Sequence, residues 1–335
     1  MLFRSRRINR APGGCAALVR LRRALLERLP RHRGLAVVEN DLLHLLSSWF
    51  NPGFLQLRRV DWNSPAQLLE QIIRHEAVHE IDGWDDLRRR LQPDRRCFAF
   101  FHPQLPEAPL IFVEVALLAE MPAQIAPLID KHAEPQAADK ARVAAFYSIS
   151  NCEPGLRGVS LGNFLIKRVA GLLQDELPSL RTFCTLSPLP GFGAWLTHCK
   201  DPGALPGLAR RGIERLRAAH ALLLQASGGD LKHLQSAAGH ARLDEAGHAA
   251  LQTLAAAYLV HGAAAEDGDP VARFHLDNGA RLERLNAQGN GAAKGLRQSF
   301  GVMVNYLYDL ERVEDNHARF RRGEVAHSRT VSTLL

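Results

Sequence analysis

The sequence predicts an α+β protein: a helical N-terminal part, residues 1–94, joined to an α/β domain, residues 95–335. Three observations carry that expectation. Residues 15–91 set apolar side chains at helical spacing. From Cys97 the texture changes to short apolar runs flanked by prolines, the mark of strands. Between Phe146 and Ser187 a strand, a glycine-bearing loop, a helix and a second strand follow in turn, which is the βαβ unit of a parallel pair.

In the helical part, Asn63 or Ser64 is expected to cap a helix whose first turn holds Pro65, a favoured N1 residue. Leu68, Leu69, Ile72 and Ile73 form its apolar stripe. Trp84, Leu87 and Leu91 mark a shorter helix that Pro93 ends. Residues 97–101, 110–115 and 146–150 then read as strands. The loop 151–158 precedes a helix over 163–174, with Leu165, Ile166, Val169, Leu172 and Leu173 on one face. Pro178 stops it, and 182–187 is the fourth strand. Residues 204–262 are rich in alanine and leucine and read as helices broken at Gly228-Gly229. Residues 280–286 and 301–308 read as extended. In the second of these, Val302, Val304, Tyr306 and Tyr308 alternate with Met303, Asn305 and Leu307, and a helix also fits. The tail from Asp315 is charged and helical or frayed.

Composition narrows the function. Hydrophobic residues make up 46% of the 335, enough to form a core. No apolar run approaches the roughly 18 residues of a membrane span. The five cysteines are odd in number, scattered and without a C-x-x-C pair, which suits reduced thiols rather than disulfides or a zinc knuckle. A formal charge of +7 suits an anionic partner. Aromatic content is only 7%, and no basic stripe is interleaved with aromatics, so a multiply phosphorylated small molecule fits better than nucleic acid. The first 26 residues hold seven arginines and no acidic residue. That pattern reads as a basic first helix, 15–29, in preference to a transit peptide. Serine is scarce there, and Pro12-Gly13-Gly14 interrupts the run.

Four constellations can carry chemistry. His75-Glu76-Ala77-Val78-His79 matches H-E-x-x-H, two zinc-binding histidines one helical turn apart with a glutamate to activate water. Only three positions are specified, and Asp82 stands where the longer metzincin pattern needs glycine. A polar helix end is the preferred reading. Gly155-Leu156-Arg157-Gly158-Val159-Ser160-Leu161-Gly162-Asn163 lies between strand and helix, where free N–H groups meet phosphate. It also fits an ordinary tight connection. Ser187 stands at the C-terminal end of the second parallel strand, the edge where open α/β sheets collect ligands. His275 lies between Asp269-Pro270, a cap with Pro at N1, and the turn signal Asn278-Gly279. Taken singly, the serine and the histidine each also read as structural.

Three stretches in order then resemble one family. Phe146–Ser150 running into Gly155–Arg168 is similar to the acyl-CoA-binding loop and helix of the malonyl-CoA decarboxylases. Leu186–Phe192 resembles that family's L-S-P-x-P-G-F segment, and Phe274–Ala280 its F-H-L-x-N-G-A segment. Arg59–Trp62, Glu76–His79, Arg95–Cys97 and Asn305–Tyr308 look familial too, so the resemblance spans roughly 10–312.

The resemblance implies a catalytic domain like the GCN5-related acetyltransferases, with CoA held where two parallel strands splay. It implies Ser187, His275 and Tyr308 as catalytic residues, with Arg157, Gly158, Val159, Ser160, Leu161, Gly162 and Asn163 binding the acyl-CoA. No metal or organic cofactor is expected, since the thioester is itself the electron sink. The expected partners are malonyl-CoA, acetyl-CoA and further copies of the chain, without nucleic acid or membrane. The expected compartment is the cytoplasm, or the mitochondrial matrix if the Arg-rich start is a transit peptide. Three departures stand out: a helical part that looks shortened at its start, Ser160 where some relatives carry glutamate, and Gly289–Ala293 where relatives carry an acidic residue and a serine. They keep open an N-acyltransferase and a non-catalytic CoA-binding protein.

Overall fold

The computed structural model describes residues 2–159, 165–265 and 267–335. Helix α1 (Leu2–Asn9) leads into α2 (Gly14–Arg28), whose buried Cys15, Leu18, Val19 and Leu25 recur at helical spacing. Helix α3 (Ala36–Trp49) buries Leu42, Leu45 and Leu46, and Leu18, Leu25 and Leu42 pack as one cluster.

The expected run of helices is then interrupted. Gln56–Val60 is strand β1, paired antiparallel with β2 (Arg95–Phe101) from Gln56 opposite Phe101 to Val60 opposite Cys97. Only Val60 of β1 is buried, and Arg58 and Arg59 stand exposed, as suits a strand at a sheet edge. Helix α4 (Ala66–His75) buries Leu69 and Ile72 of the expected stripe. Its cap differs from expectation. Pro65 itself occupies the N-cap, while the Ser64 hydroxyl accepts the Asp61 N–H and holds the preceding turn. Helix α5 (Gly83–Arg90) buries Leu87.

The remaining elements are β3 (Ile111–Leu118), α6 (Ala126–Ile129), β4 (Val143–Asn151), α7 (Leu165–Glu176), β5 (Thr182–Thr185), β6 (Ser187–Pro188) and α8 (Phe192–His198). Then come α9 (Arg210–Ala226), α10 (Ala237–His240), α11 (Glu245–Gly262), α12 (Pro270–Asp277), β7 (Arg281–Asn286), α13 (Ala293–Ser299), β8 (Met303–Leu307), α14 (Val313–Arg321) and α15 (Arg329–Ser332). Gly228 and Gly229, exposed and with positive φ, follow the end of α9. Among the described residues no helix is long and apolar enough to cross a membrane.

The chain divides into two compact units. The first takes residues up to 115 with 131–136 and 148–169. Its core joins Val60, Leu69, Ile72, Leu87, Ala99, Phe101 and Phe112, so α4 and α5 bury their apolar faces on the strands. The second takes 116–130, 137–147 and 170–335, and is built on a mixed sheet. There β4 and β5 run parallel, Val143 opposite Thr182 through Phe146 opposite Thr185, with α7 in the connection between them. Strand β8 pairs antiparallel with β5, β6 and β7. Ala116, Ile125, Leu128, Tyr147, Leu186 and Met303 form one core cluster of this unit, and Val143, Ala145 and Cys184 a second.

Candidate active site

Ser187 follows the parallel strand instead of ending it. Strand β5 stops at Thr185, and Ser187 opens the two-residue β6, opposite Val304 of β8. Alternate residues of an extended chain share a face. Thr185 and Ser187 therefore point the same way, and Ser187 Oγ donates to Thr185 Oγ1 at 2.8 Å.

Helix α12 carries His275 between two fixed ends. At its start the Asp269 carboxylate accepts from Val271 N and Ala272 N, both at 3.0 Å, with Pro270 in the first turn. At its close Gly279 has φ +79°, and a Cβ there would lie 2.0 Å from the Val313 carbonyl oxygen, so the position demands glycine. The second Asp269 oxygen accepts from Gly191 N at 2.8 Å, which ties the segment after Ser187 to the start of α12.

Held in this way, His275 places Nε2 3.0 Å from Ser187 Oγ and Nδ1 2.9 Å from Tyr308 Oη. Tyr306 stacks on the imidazole at 4.6 Å. Ser187, His275 and Tyr308 are exposed by only 5%, 4% and 3%, so water hardly reaches them. Burial pushes the His275 pKa down to about 3, and the Tyr308 phenol well above its ordinary range. At neutral pH the series Tyr308–His275–Ser187–Thr185 thus carries no charge. A neutral hydrogen-bonded relay of this kind can hand on a proton without placing a positive charge on the buried imidazole.

The acyl-CoA loop expected from the sequence belongs to the other unit. Ser160, Leu161, Gly162 and Asn163 lie outside the described residues. Arg157, Gly158 and Val159 are in place, and the carbonyl oxygens around them are tied down. Arg22 Nη1 donates to Gly155 O at 2.7 Å and Nη2 to Arg157 O at 2.7 Å, while Glu39 Oε1 holds the same guanidinium at 2.6 Å. A Cβ on Gly155 would lie 2.2 Å from Val19 O, so α2 runs directly against the loop.

His75-Glu76-Ala77-Val78-His79 is not a helical pair. Helix α4 ends at His75, and Glu76 turns to extended backbone with ψ 108°. One Glu76 oxygen accepts from Val78 N and His79 N, the other from the hydroxyls of Ser148 and Ser150. Arg90 donates to the carbonyl oxygens of His79 and Glu80. The stretch is a turn held by its own glutamate, and its histidines lack the helical spacing of a zinc-binding pair.

Four further residues matter here in roles that the sequence did not assign to them. Thr185 is marked only by standing two residues before Ser187. Tyr306 is marked only by its place in the alternation of β8. Asp269 reads as a cap, with no sign that it also binds Gly191. Arg22 looks like one of many N-terminal arginines, although its spacing from Leu18 and Leu25 puts it on the buried stripe.

The descriptions "Malonyl-CoA decarboxylase N-terminal domain" and "Malonyl-CoA decarboxylase C-terminal domain" match residues 2–50 and 53–335. The chain belongs to the malonyl-CoA decarboxylase family. The mitochondrial malonyl-CoA decarboxylase of the goose Anser anser anser is 39% identical over 328 residues, covering 93% of this chain and 64% of that protein. The rat enzyme of the same name is 38% identical over 326 residues, covering 92% and 65%. The chain therefore spans a little under two thirds of the length of these relatives. The solved malonyl-CoA decarboxylase from Rhodopseudomonas palustris matches with a TM-score of 0.84 at 49% identity, covering 98% of this chain and 78% of that one. The one from Agrobacterium vitis matches at 0.82 and 48%, with the same coverage. Within the family's own division, the Arg22 contacts run from its N-terminal domain, 2–50, to its C-terminal domain, 53–335.

Proposed function

We propose that the chain converts malonyl-CoA to acetyl-CoA and CO2, with Ser187, His275 and Tyr308 handling the proton. The observation that carries this reading is the buried, uncharged series in which His275 touches Ser187 at one ring nitrogen and Tyr308 at the other.

Breaking the bond to CO2 leaves an electron pair on the α-carbon, shared with the thioester oxygen as an enolate. The thioester takes up that charge, so the site has two tasks: to strip water from the malonyl carboxylate, and to deliver one proton to carbon. A site exposed by only a few per cent suits the first task. For the second, a neutral His275 gives its Nε2 proton and receives one from Tyr308 at Nδ1. The imidazole ends neutral in its other tautomer, and the charge of the enolate passes to the Tyr308 oxygen. Nδ1 then returns its proton to Tyr308 as Nε2 takes one from solvent, which restores the resting ring. Ser187 orients the departing carboxylate or passes the proton on. Positioned acid catalysis of this kind is worth about 10²–10⁴-fold.

The loop Arg157–Asn163 is assigned to the CoA phosphates, in keeping with the basic balance of the chain. The same reading makes the protein a homo-oligomer of the cytoplasm. The matrix is the alternative, since the animal relatives are named mitochondrial.

The test is purified protein with malonyl-CoA and a chelator, following acetyl-CoA and CO2. Release of both, falling by about 10²–10⁴-fold in His275→Ala, supports the proposal. Binding of acyl-CoA without CO2 release refutes it.

A further inference from the structure

We infer that Thr185 is a positioning residue: its hydroxyl oxygen takes the proton of Ser187 and thereby fixes His275 in the tautomer that carries its proton on Nε2. The inference rests on the decarboxylase reading for its kinetic consequence, but not for its structural one.

A serine hydroxyl has one proton to donate, and a neutral imidazole has one N–H and one lone pair. Ser187 Oγ lies between Thr185 Oγ1 at 2.8 Å and His275 Nε2 at 3.0 Å. If its proton goes to Thr185, Nε2 must be the donor to Ser187, and Nδ1 is left to accept from Tyr308 Oη at 2.9 Å. If its proton goes to Nε2, the ring proton moves to Nδ1, and the Tyr308 hydroxyl faces a donor. Tyr308 is exposed by only 3%, and phenol is the more acidic of the hydroxyls in the series. Leaving its proton without an acceptor costs more than leaving that of Thr185.

The surroundings of Thr185 support its role as acceptor. Thr185 is fully buried. Its backbone carbonyl accepts from Asn305 Nδ2 at 2.8 Å, and Oγ1 also receives Tyr306 N at 3.3 Å. The tyrosine whose N–H holds Thr185 is the one whose ring covers His275. One residue of β8 thus holds both the hydroxyl that sets the tautomer and the imidazole that obeys it. Fixing the proton on Nε2 puts the donor where the proposed reaction needs it, facing Ser187.

The experiment uses the full chain with ¹⁵N-labelled histidine. The His275 signals are assigned by difference from His275→Gln. In the unaltered protein Nε2 should appear protonated and Nδ1 unprotonated. Thr185→Val should lose that pattern and lower kcat by at least tenfold, with KM for malonyl-CoA unchanged within about twofold. Thr185→Ser, which keeps the acceptor, should restore both. A proton on Nδ1 in the unaltered protein overturns the inference without any variant, even if Thr185→Val fails to fold. A folded Thr185→Val with unchanged signals and unchanged kcat overturns it as well. Absence of CO2 release from the unaltered protein sinks the decarboxylase reading instead, and the nitrogen signals still decide the role of Thr185.

Discussion

The Gly191 N–H points at the Asp269 carboxylate from 2.8 Å, so one buried acid both caps the His275 helix and anchors the turn that follows Ser187. Two elements far apart in the chain are thereby set in register by a single side chain. Asp269→Ala removes the cap and leaves three N–H groups without their acceptor. It should lower unfolding free energy by about 2–4 kcal/mol, read from urea titration. The surviving folded fraction should also turn over more slowly, because Ser187 and His275 lose their common anchor. Full activity in Asp269→Ala would contradict this.

Ser187 and His275 act as parts of one series, so their losses should not add. Ser187→Ala and His275→Ala each lower kcat, and the double variant should be no slower than the slower single within about threefold. Strictly multiplicative losses would mean that the two side chains act independently.

Burial fixes a pH window for His275. Its ordinary pKa is 6.5 and its folded value about 3. The unfolded chain therefore takes up the proton first, and the stability tied to the neutral ring is complete above pH 6.5 and lost as the pH falls towards 3. Urea midpoints should decline across that window more steeply in the unaltered protein than in His275→Gln, which cannot titrate. Between pH 6 and 8 kcat should show no ionisation belonging to His275. A limb near 6.5 assigned to that residue by its own resonance would refute the neutral relay.

Arg22 links the N-terminal helices to the proposed CoA loop through two carbonyl oxygens. Its side chain is 2% exposed and that of its partner Glu39 12%. Arg22→Met should raise KM for malonyl-CoA about tenfold, or ~1.4 kcal/mol, with kcat little changed, because the loop loses its anchor and the proton relay does not. Truncating one partner of a buried pair should also cost about 3 kcal/mol of stability. A fall in kcat at constant KM would assign Arg22 a different role.

Much of this architecture was legible in the sequence, and the failures share a cause. Strands β2, β3 and β4 are near-continuous apolar runs, which is how strands buried on both faces read. The meeting of Ser187, His275 and Tyr308 was legible because each stands in a stretch with a familial pattern. Strand β1 was not, since Arg58 and Arg59 look like the polar face of a helix until β2 is there to pair with them. The H-E-x-x-H stretch read as helix because its end is decided by Ser148 and Ser150, distant residues to which Glu76 turns. Thr185 stayed hidden for the same reason: no local pattern separates a packing threonine from one that sets a neighbour's proton.

The exposed turn at Gly228-Gly229 falls between Ser187 and the other two members of the relay. A protease that nicked the chain there would leave the serine on one fragment and both His275 and Tyr308 on the other. Neither fragment would hold a site of its own. Yet neither glycine takes part in any hydrogen bond of the series, so the nicked protein should keep its activity while the pieces stay together. Separating them in denaturant should abolish turnover, and remixing should bring it back by complementation.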